Sequence, residues 1–283
     1  MTLVPAQSPL KLWPLVTDGN LGGFIIAGLP FSSWQQAAWK RIGADIQLVE
    51  NAWIDDADAR LLAGADASAS LVDANGALLA RTGEGGSEIM ASPASLLVRY
   101  PWELLRLNEI LTGGITEHDI RGDLSPHAHV EGMLVLGEGS RVLPGVYIEG
   151  NVIIGRDCKI GPNCYLRGNT SIGDGCHIGQ AVEIKNCLIG SKTNVGHLSY
   201  IGDSVLGDRV NLGAGTITSN LRHDGGSQRT LVDGEIVDTG RRKLGTIIGD
   251  GTHTGIHTAI YPGRKLGPGS TTRPGAVVSN DIA

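Results

Sequence analysis

The sequence predicts a mainly β protein, a left-handed parallel β-helix of hexapeptide repeats that follows a small N-terminal α/β region. Three observations predict it. An aliphatic residue recurs every six positions, glycine usually follows it, and the fourth position after it is usually small. A spacing of six fits neither the 3.6-residue period of a helix nor the two-residue period of a strand, whereas short strands joined by tight corners produce it. Three such sides give a coil of about 18 residues.

The aliphatic series extends over most of residues 119–283, which we predict to be the β-helix domain. It starts at Val130, slips by one residue before Ile189 and again before Leu206, and resumes at Ile248. The interruption leaves residues 219–247 as a polar, glycine-rich loop outside the coils. Other members of the series are Leu136, Val142, Ile148, Ile154, Ile160, Leu166, Ile172, Ile178, Ile184, Val195, Ile201, Leu212, Ile260, Leu266 and Val278.

Composition supports this fold and excludes several classes of partner. The 283 residues include 42 glycines, and only 4% are aromatic, which indicates many tight turns and few large core side chains. The net charge of −6 comes without a long basic run, so no nucleic acid or anionic membrane is expected as a partner. No apolar run approaches a membrane span, and MTLVPAQSPLKLWPL does not resemble a signal peptide, so a cytoplasmic location is expected.

Residues 1–118 have a different texture, and we predict a small α/β region there. This stretch contains no G-x-G-T-R loop or other glycine run suited to hold a phosphate. Its predicted elements are a helix capped by Ser32 and Ser33 that runs through Arg41 and stops at Gly43, a strand over 45–53, a hairpin about Asn75-Gly76, and a helix from about Tyr100 to Leu111 that Gly113-Gly114 ends.

The four cysteines are expected to be reduced structural thiols. Cys158, Cys164 and Cys176 occupy the small position of the repeat, and Cys187 falls at a slip. A C-x5-C spacing is not typical of zinc sites, so no metal site is predicted from these residues.

Two cations break the repeat. Arg167 and Lys185 stand where glycine usually follows the aliphatic residue, and they are 18 positions apart, so they should stack on neighbouring coils about 5 Å apart. Like charges that close cost about 3 kcal/mol at an effective dielectric of 20, which requires a neutralising group. That group is either a carboxylate, with Glu149 and Glu183 as candidates, or a bound phosphate. The spacing alone leaves both interpretations open.

The loop over 219–247 carries further candidates. It ends in the basic triplet Arg241, Arg242 and Lys243, and it contains Arg222 near its start. The triplet is either the solvated base of a loop or a segment that contacts phosphate.

His197 is the candidate for chemistry. A lone histidine in a repeat is more often structural than catalytic. However, Tyr200 lies three residues further on, and Asn220 stands where the regular coil gives way to the loop. These two side chains could orient an imidazole and a substrate.

The stretches VEIKNCLIGSKTNVGHLSYIGDSVLGDRVNLGAGTITSNLRHD and DTGRRKLGTIIGDGTHTGIHTAIYPGRKLG resemble the acetyltransferase half of the bifunctional glucosamine-1-phosphate acetyltransferase / N-acetylglucosamine-1-phosphate uridyltransferase family, in particular its archaeal-type branch. The segment RYPWELLRLNEIL extends the resemblance to roughly residues 98–280. The resemblance implies transfer of an acetyl group from acetyl-CoA to the amine of an amino sugar 1-phosphate. It also implies a homotrimer with each site between two subunits.

The resemblance also implies roles for individual residues. His197 would be the general base, Tyr200 and Asn220 would help to hold the sugar, and Arg167 and Lys185 would bind its phosphate. Acetyl-CoA would lie along the later coils, where its phosphates would meet the cationic side chains Arg264, Lys265 and Arg273.

The sequence departs from the family pattern at two places. The family usually has a lysine shortly after the asparagine, whereas NLRHDGGSQR offers only Arg222 and Arg229. A full pyrophosphorylase half is about twice as long as residues 1–118 and opens with a glycine-rich loop. IAGLPFSSWQQAAWKRIGADIQLVE faintly resembles part of such a domain, so the sequence indicates a shortened remnant without uridyltransferase activity.

Three other functions are alternatives to the acetyltransferase. A non-catalytic repeat protein would fit the missing lysine, and an acyltransferase for a different amino sugar would share every motif. A zinc hydratase of the same fold would require three converging histidines, drawn from His177, His197, His223, His253 and His257.

Overall fold

The computed structural model describes residues 2–6, 10–16, 20–42, 46–65 and 68–283. It confirms the predicted parallel β-helix, because three parallel sheets of eight, six and eight strands run along residues 119–278, and each strand pairs with the strand one coil later. No helix among the described residues has the length and apolar character needed to cross a membrane.

The three sheets are called here the first, second and third faces. The first face comprises Asp119–Ile120, Leu134–Leu136, Val152–Ile154, Thr170–Ile172, Leu188–Ile189, Val205–Leu206, Thr246–Ile248 and Arg264–Leu266. The second comprises Asp123–Leu124, Arg141–Val142, Lys159–Ile160, His177–Gln180, Asn194–His197 and Asn211–Leu212. The third comprises His129–Glu131, Tyr147–Glu149, Tyr165–Arg167, Glu183–Lys185, Tyr200–Gly202, Ile217–Thr218, Ala259–Ile260 and Val277–Val278.

The interior of the β-helix is built by the residues of the aliphatic repeat. Ile148, Leu166 and Ile184 are 0% exposed and stack directly on one another in register along the third face. Burying each such side chain contributes roughly 1.5–3 kcal/mol, so the stacked repeat supplies most of the stability of this domain. All four cysteines are buried as free thiols.

The described residues of the N-terminal region form a five-stranded sheet and three helices, α1 (Phe31–Ile42), α2 (Asp56–Ala63) and α3 (Glu103–Gly113). In spatial order, the sheet consists of Thr2–Val4, Gln47–Val49, Leu78–Arg81, Ala69–Val72 and Ser87–Met90. Short antiparallel pairs join Ile25–Ile26 to Leu29–Pro30 and Ala52–Trp53 to Leu96–Leu97.

The observed N-terminal elements agree only in part with those predicted from the sequence. The hairpin about Asn75-Gly76 is confirmed. Helix α1 begins at Phe31, so Ser32 and Ser33 lie in its first turn instead of capping it, and the expected stop at Gly43 falls outside the described residues.

The strand and the last helix also differ from the prediction. The strand expected over 45–53 divides in two because Asn51 adopts a positive φ of 61°. Helix α3 starts at Glu103, whose carboxylate accepts the backbone N–H groups of Arg99 and Tyr100 at 2.6 and 2.9 Å.

The N-terminal region packs against the first face through an apolar cluster. Leu104 and Leu107 of α3 are buried in the same cluster as Leu188 and Val205 of the β-helix. Within this contact Asn108 is 0% exposed, and its Nδ2 donates to the carbonyl oxygen of Asn169 at 2.9 Å. Because a buried amide is costly unless it is hydrogen-bonded, this bond fixes α3 against the coils.

The segment predicted as a loop over 219–247 contains a β-hairpin formed by Arg229–Val232 and Glu235–Asp238. The two ends of the segment meet where it leaves the β-helix. There the backbone N–H of Leu244 donates to the carbonyl oxygen of Asn220 at 3.0 Å. At its tip Asp233 forms an ion pair with Lys11 of the N-terminal region. The segment is therefore held at both ends.

Candidate functional site

Arg167 and Lys185 are direct neighbours on the third face, as the repeat predicts. The register pairs Glu149 with Arg167, Arg167 with Lys185, and Lys185 with Gly202. The two cationic side chains thus lie on adjacent coils of one surface.

Each cation has its own carboxylate partner. Arg167 Nη2 lies 2.6 Å from Glu183 Oε1, and Lys185 Nζ lies 3.3 Å from Asp203 Oδ2. Of the two carboxylates that the sequence offered, Glu183 pairs with Arg167, whereas Glu149 accepts the hydroxyl of Tyr165. The structure therefore contains the ion pairs that one of the two interpretations expected. It does not exclude a ligand, because the Arg167 side chain is still 33% exposed.

Asp203 is the centre of a polar network that sequence reasoning missed. Its carboxylate is only 4% exposed and accepts hydrogen bonds from Lys185 Nζ, from Asn220 Nδ2 at 2.6 Å and from Asn186 Nδ2 at 3.0 Å. A buried carboxylate needs hydrogen-bond partners, and the three donors supply them and hold Asp203 in place.

Tyr200 and Asn220 are brought together, although they are 20 positions apart. Asn220 Nδ2 donates to the Tyr200 hydroxyl at 3.0 Å as well as to Asp203. Burial raises the pKa of Tyr200, so the phenol keeps its proton. Both side chains are half-buried beside Lys185, where a ligand on the third face would meet them.

His197 ends the second-face strand Asn194–His197, three residues before Tyr200 on the third face. The turn between them has Leu198 at a positive φ of 50°, and Ser199 Oγ donates to the carbonyl oxygen of His197 at 2.7 Å. The imidazole is exposed and has no hydrogen-bond partner among the described residues. An exposed imidazole at this corner is free to meet a ligand that lies on the third face.

The basic residues of the 219–247 segment do not act alike. Arg241 forms an ion pair with Glu109 of α3 at 2.6 Å, and Arg222 pairs with Asp224, whereas Arg242 is exposed. Lys243 lies beside Lys185, whose ammonium lowers the pKa of Lys243. Lys243 has no ion pair with a carboxylate in the part of the chain that the structure describes, so an excess of positive charge exists next to Tyr200 and Asn220.

The three cations expected along the acetyl-CoA path also differ. Lys265 is 4% exposed, and its ammonium bonds to Asp281 and Thr230, both at 3.0 Å. These bonds hold Lys265 against the last coils, and its expected role toward the phosphates of acetyl-CoA stays a prediction. Arg264 donates to the carbonyl oxygen of Arg229 at 3.2 Å, and Arg273 is exposed.

Across the described ranges, no three side chains of histidine, cysteine, aspartate or glutamate converge to hold a metal ion.

The C-terminal part of the chain is similar to known proteins. Residues 148–261 match the family described as the GMPPB C-terminal domain. A bifunctional sugar-1-phosphate nucleotidylyltransferase/acetyltransferase of Sulfurisphaera tokodaii is 38% identical over 182 residues, which are 64% of this chain and 45% of that protein. The bifunctional protein GlmU of Methanococcus aeolicus is 37% identical over 182 residues, or 64% of this chain and 44% of its own length.

A third relative agrees with these two. The bifunctional protein GlmU of Methanococcus maripaludis strain C7 is 41% identical over 185 residues, covering 65% of this chain and 44% of its own. The resemblance to the archaeal bifunctional proteins is thus confirmed over about two thirds of the chain. The chain spans a little under half the length of these relatives, 45% in the first.

Proposed function

We propose that this chain is an acetyl-CoA-dependent N-acetyltransferase that acts on an amino sugar 1-phosphate, of the glucosamine or galactosamine type. The observation that carries the proposal is the arrangement on the third face. The stacked cations Arg167 and Lys185 lie beside the Tyr200–Asn220 pair, and the exposed imidazole of His197 stands at the corner just before Tyr200. The similarity to a protein named bifunctional sugar-1-phosphate nucleotidylyltransferase/acetyltransferase supports it.

The electrostatics of the site suit a phosphate. Arg167 and Lys185 are each paired with one carboxylate, and Lys243 adds a third positive charge that has no carboxylate partner among the described residues. A sugar phosphate would compensate this excess and would accept charge-assisted hydrogen bonds from the exposed edge of Arg167. Lys243 would take the place of the lysine that is missing shortly after Asn220.

The chemistry requires a base and an acyl donor. A protonated amine is not a nucleophile, so His197 accepts a proton from the amine as its nitrogen attacks the thioester carbonyl of acetyl-CoA. Backbone N–H groups near the corner stabilise the oxyanion of the tetrahedral intermediate. Collapse breaks the carbon–sulfur bond, and the histidinium returns its proton to the departing thiolate.

The proposal extends to the cofactor site and the assembly. Acetyl-CoA would lie along the later coils, with Arg264, Lys265 and Arg273 near its phosphates. The protein would form a homotrimer in which each site lies between two subunits, as the resemblance implies.

A substrate screen tests the proposal. The protein is incubated with acetyl-CoA and a panel of amino sugars with and without a 1-phosphate, and thiol release is followed. We expect turnover with an amino sugar 1-phosphate and much slower turnover with its unphosphorylated form. An N-acetylated sugar 1-phosphate is the matched control without a free amine. If no amine releases thiol above the control, the enzymatic function is wrong and a non-catalytic role is favoured.

A further inference from the structure

We propose that Asp203 and Glu109 are positioning residues for the sugar site, linked through Asn186, and that the N-terminal region serves the site through this link. The inference rests on the proposed function, because it concerns the residues that hold the sugar. It assigns a role to α3, which contributes no group to the chemistry itself.

The link is a continuous set of hydrogen bonds. The amide Nδ2 of Asn186 donates to Glu109 Oε1 at 2.8 Å and to Asp203 Oδ1 at 3.0 Å, so a single amide bridges two carboxylates. The other oxygen of Asp203 accepts from Asn220 at 2.6 Å. The path therefore runs from α3 to the amide that contacts Tyr200.

The backbone conformation at Asn186 and Asp203 does not require their side chains. At the corner after the third face, successive coils place Gly132, Gly150 and Gly168 in the left-handed region, with φ of 121°, 87° and 70°. The next two coils place Asn186 and Asp203 there, with φ of 52° and 49°. Glycine adopts this conformation more easily than any other residue. The side chains of Asn186 and Asp203 are thus best explained by the contacts that they make.

Asp203 determines which atoms the site presents. Both hydrogens on Asn220 Nδ2 are used, one by Tyr200 and one by Asp203. Asn220 therefore offers only its carbonyl Oδ1 to a ligand, as an acceptor for a hydroxyl or amine hydrogen. The Tyr200 oxygen accepts from Asn220, so its own proton is available to a ligand acceptor.

Glu109 acts on the same site from a second direction. Its carboxylate accepts from Arg241 Nη2 at 2.6 Å, and Arg241 in turn lies in the segment that carries Lys243. The carbonyl oxygen of Arg241 also accepts the backbone N–H of Gln228 at 2.7 Å. Glu109 thus fixes both the corner at Asn186 and the base of the 219–247 segment. Its own helix is anchored by the buried Asn108.

Three variants of the full chain test the link. Asn186→Gly keeps the backbone conformation and removes the bridging amide. Glu109→Ala removes the contacts of Glu109 with Asn186 and Arg241. Glu109→Gln keeps an acceptor for Asn186 and loses the charge that faces Arg241. The matched control is Glu117→Ala, because Glu117 is exposed shortly after the same helix.

We expect Asn186→Gly to melt no lower than the wild type and to raise the KM for the amino sugar 1-phosphate about tenfold, while the KM for acetyl-CoA stays constant. Glu109→Ala should raise the same KM and accelerate hydrogen exchange at the backbone amides of Gln228 and Leu244. Glu109→Gln should fall between Glu109→Ala and the wild type, and Glu117→Ala should match the wild type.

The measurements separate this inference from the proposed function. An unchanged sugar KM in Asn186→Gly overturns the positioning role, even if the wild type is fully active. If the wild type shows no acetyl transfer, the proposed function fails, and amide exchange still decides the link. Unchanged exchange at Gln228 and Leu244 in Glu109→Ala would then overturn it, and faster exchange would support it.

Discussion

The Nδ2 atom of Asn220 lies 3.0 Å from the hydroxyl oxygen of Tyr200, and it donates to Asp203 Oδ2 at 2.6 Å on its other side. One amide thus joins the phenol of Tyr200, whose pKa is raised by burial, to the buried carboxylate of Asp203. Because an amide nitrogen can only donate, the orientation of Asn220 is fixed. Tyr200 and Asn220 thus form a polar surface in which, among the described residues, the Tyr200 hydroxyl is the free donor and Asn220 Oδ1 is the free acceptor.

Asn220→Asp should be more harmful than its small change in shape suggests. It would place a carboxylate oxygen against Asp203 Oδ2, and such a carboxylate pair binds a proton with a raised pKa. A folded-state pKa above the unfolded value gives stability that is present at low pH and lost as pH rises through the folded value. We therefore expect the variant to lose more of its melting temperature, relative to the wild type, at pH 8 than at pH 5. Asn75→Asp, in an exposed hairpin turn, is the control and should show no such trend.

His197→Ala should reduce acetyl transfer by roughly 10²–10⁴, the usual contribution of a general base. The imidazole is exposed and makes no hydrogen bond among the described residues, so the melting temperature should not change. The rate is measured by thiol release on the best amine substrate, with His127→Ala as the control at another exposed position. Wild-type turnover in His197→Ala would show that the catalytic assignment is wrong.

The repeat made the fold and part of the site predictable. Positions 18 apart face the same way on adjacent coils, which is why Arg167 and Lys185 could be placed together from spacing alone. Tyr200 and Asn220 were singled out by their positions near His197 and at the start of the loop. Their mutual contact could not be predicted, because it depends on how the chain leaves the coil at Thr218. Their meeting beside Lys185 is a feature that the structure adds.

The carboxylates of the site could not be predicted in the same way. Asp203 and Asn186 occupy a corner where glycine is the rule, and that exception was the available signal. Glu109 gave no signal, because its contacts with Asn186 and Arg241 depend on how α3 docks on the first face. The ion pair of Lys265 with Asp281 gave no signal either, because nothing in the sequence neighbourhood of Lys265 indicates that Asp281 lies beside it.

No pyrophosphorylase activity is expected from the N-terminal region. Residues 1–118 contain no glycine-rich loop whose backbone could hold a nucleoside triphosphate. The chain is incubated with UTP, magnesium and a sugar 1-phosphate, and both pyrophosphate and the sugar nucleotide are measured. Formation of the two products together would show that the region is an active nucleotidyltransferase instead of a remnant.

The stacked cations give the most direct test of the phosphate site. Arg167→Ala removes a partner from Glu183, whose side chain is 32% exposed, so little stability should be lost. Lys185→Ala leaves the buried Asp203 without its cation and should lower the melting temperature more. Both changes should raise the KM for the amino sugar 1-phosphate roughly ten- to hundredfold, with a nearly constant KM for acetyl-CoA.

The double variant distinguishes a shared phosphate from two separate ion pairs. Two residues that hold one phosphate should show non-additive effects on the sugar KM, because the second change removes part of an interaction already weakened by the first. Two independent ion pairs should instead give additive losses of melting temperature and leave the KM unchanged. Lys159→Ala, an exposed cation on the second face, is the control for the loss of one positive charge. Additive loss of stability with an unchanged sugar KM would contradict the phosphate site, and Arg167 and Lys185 would then serve only to neutralise Glu183 and Asp203.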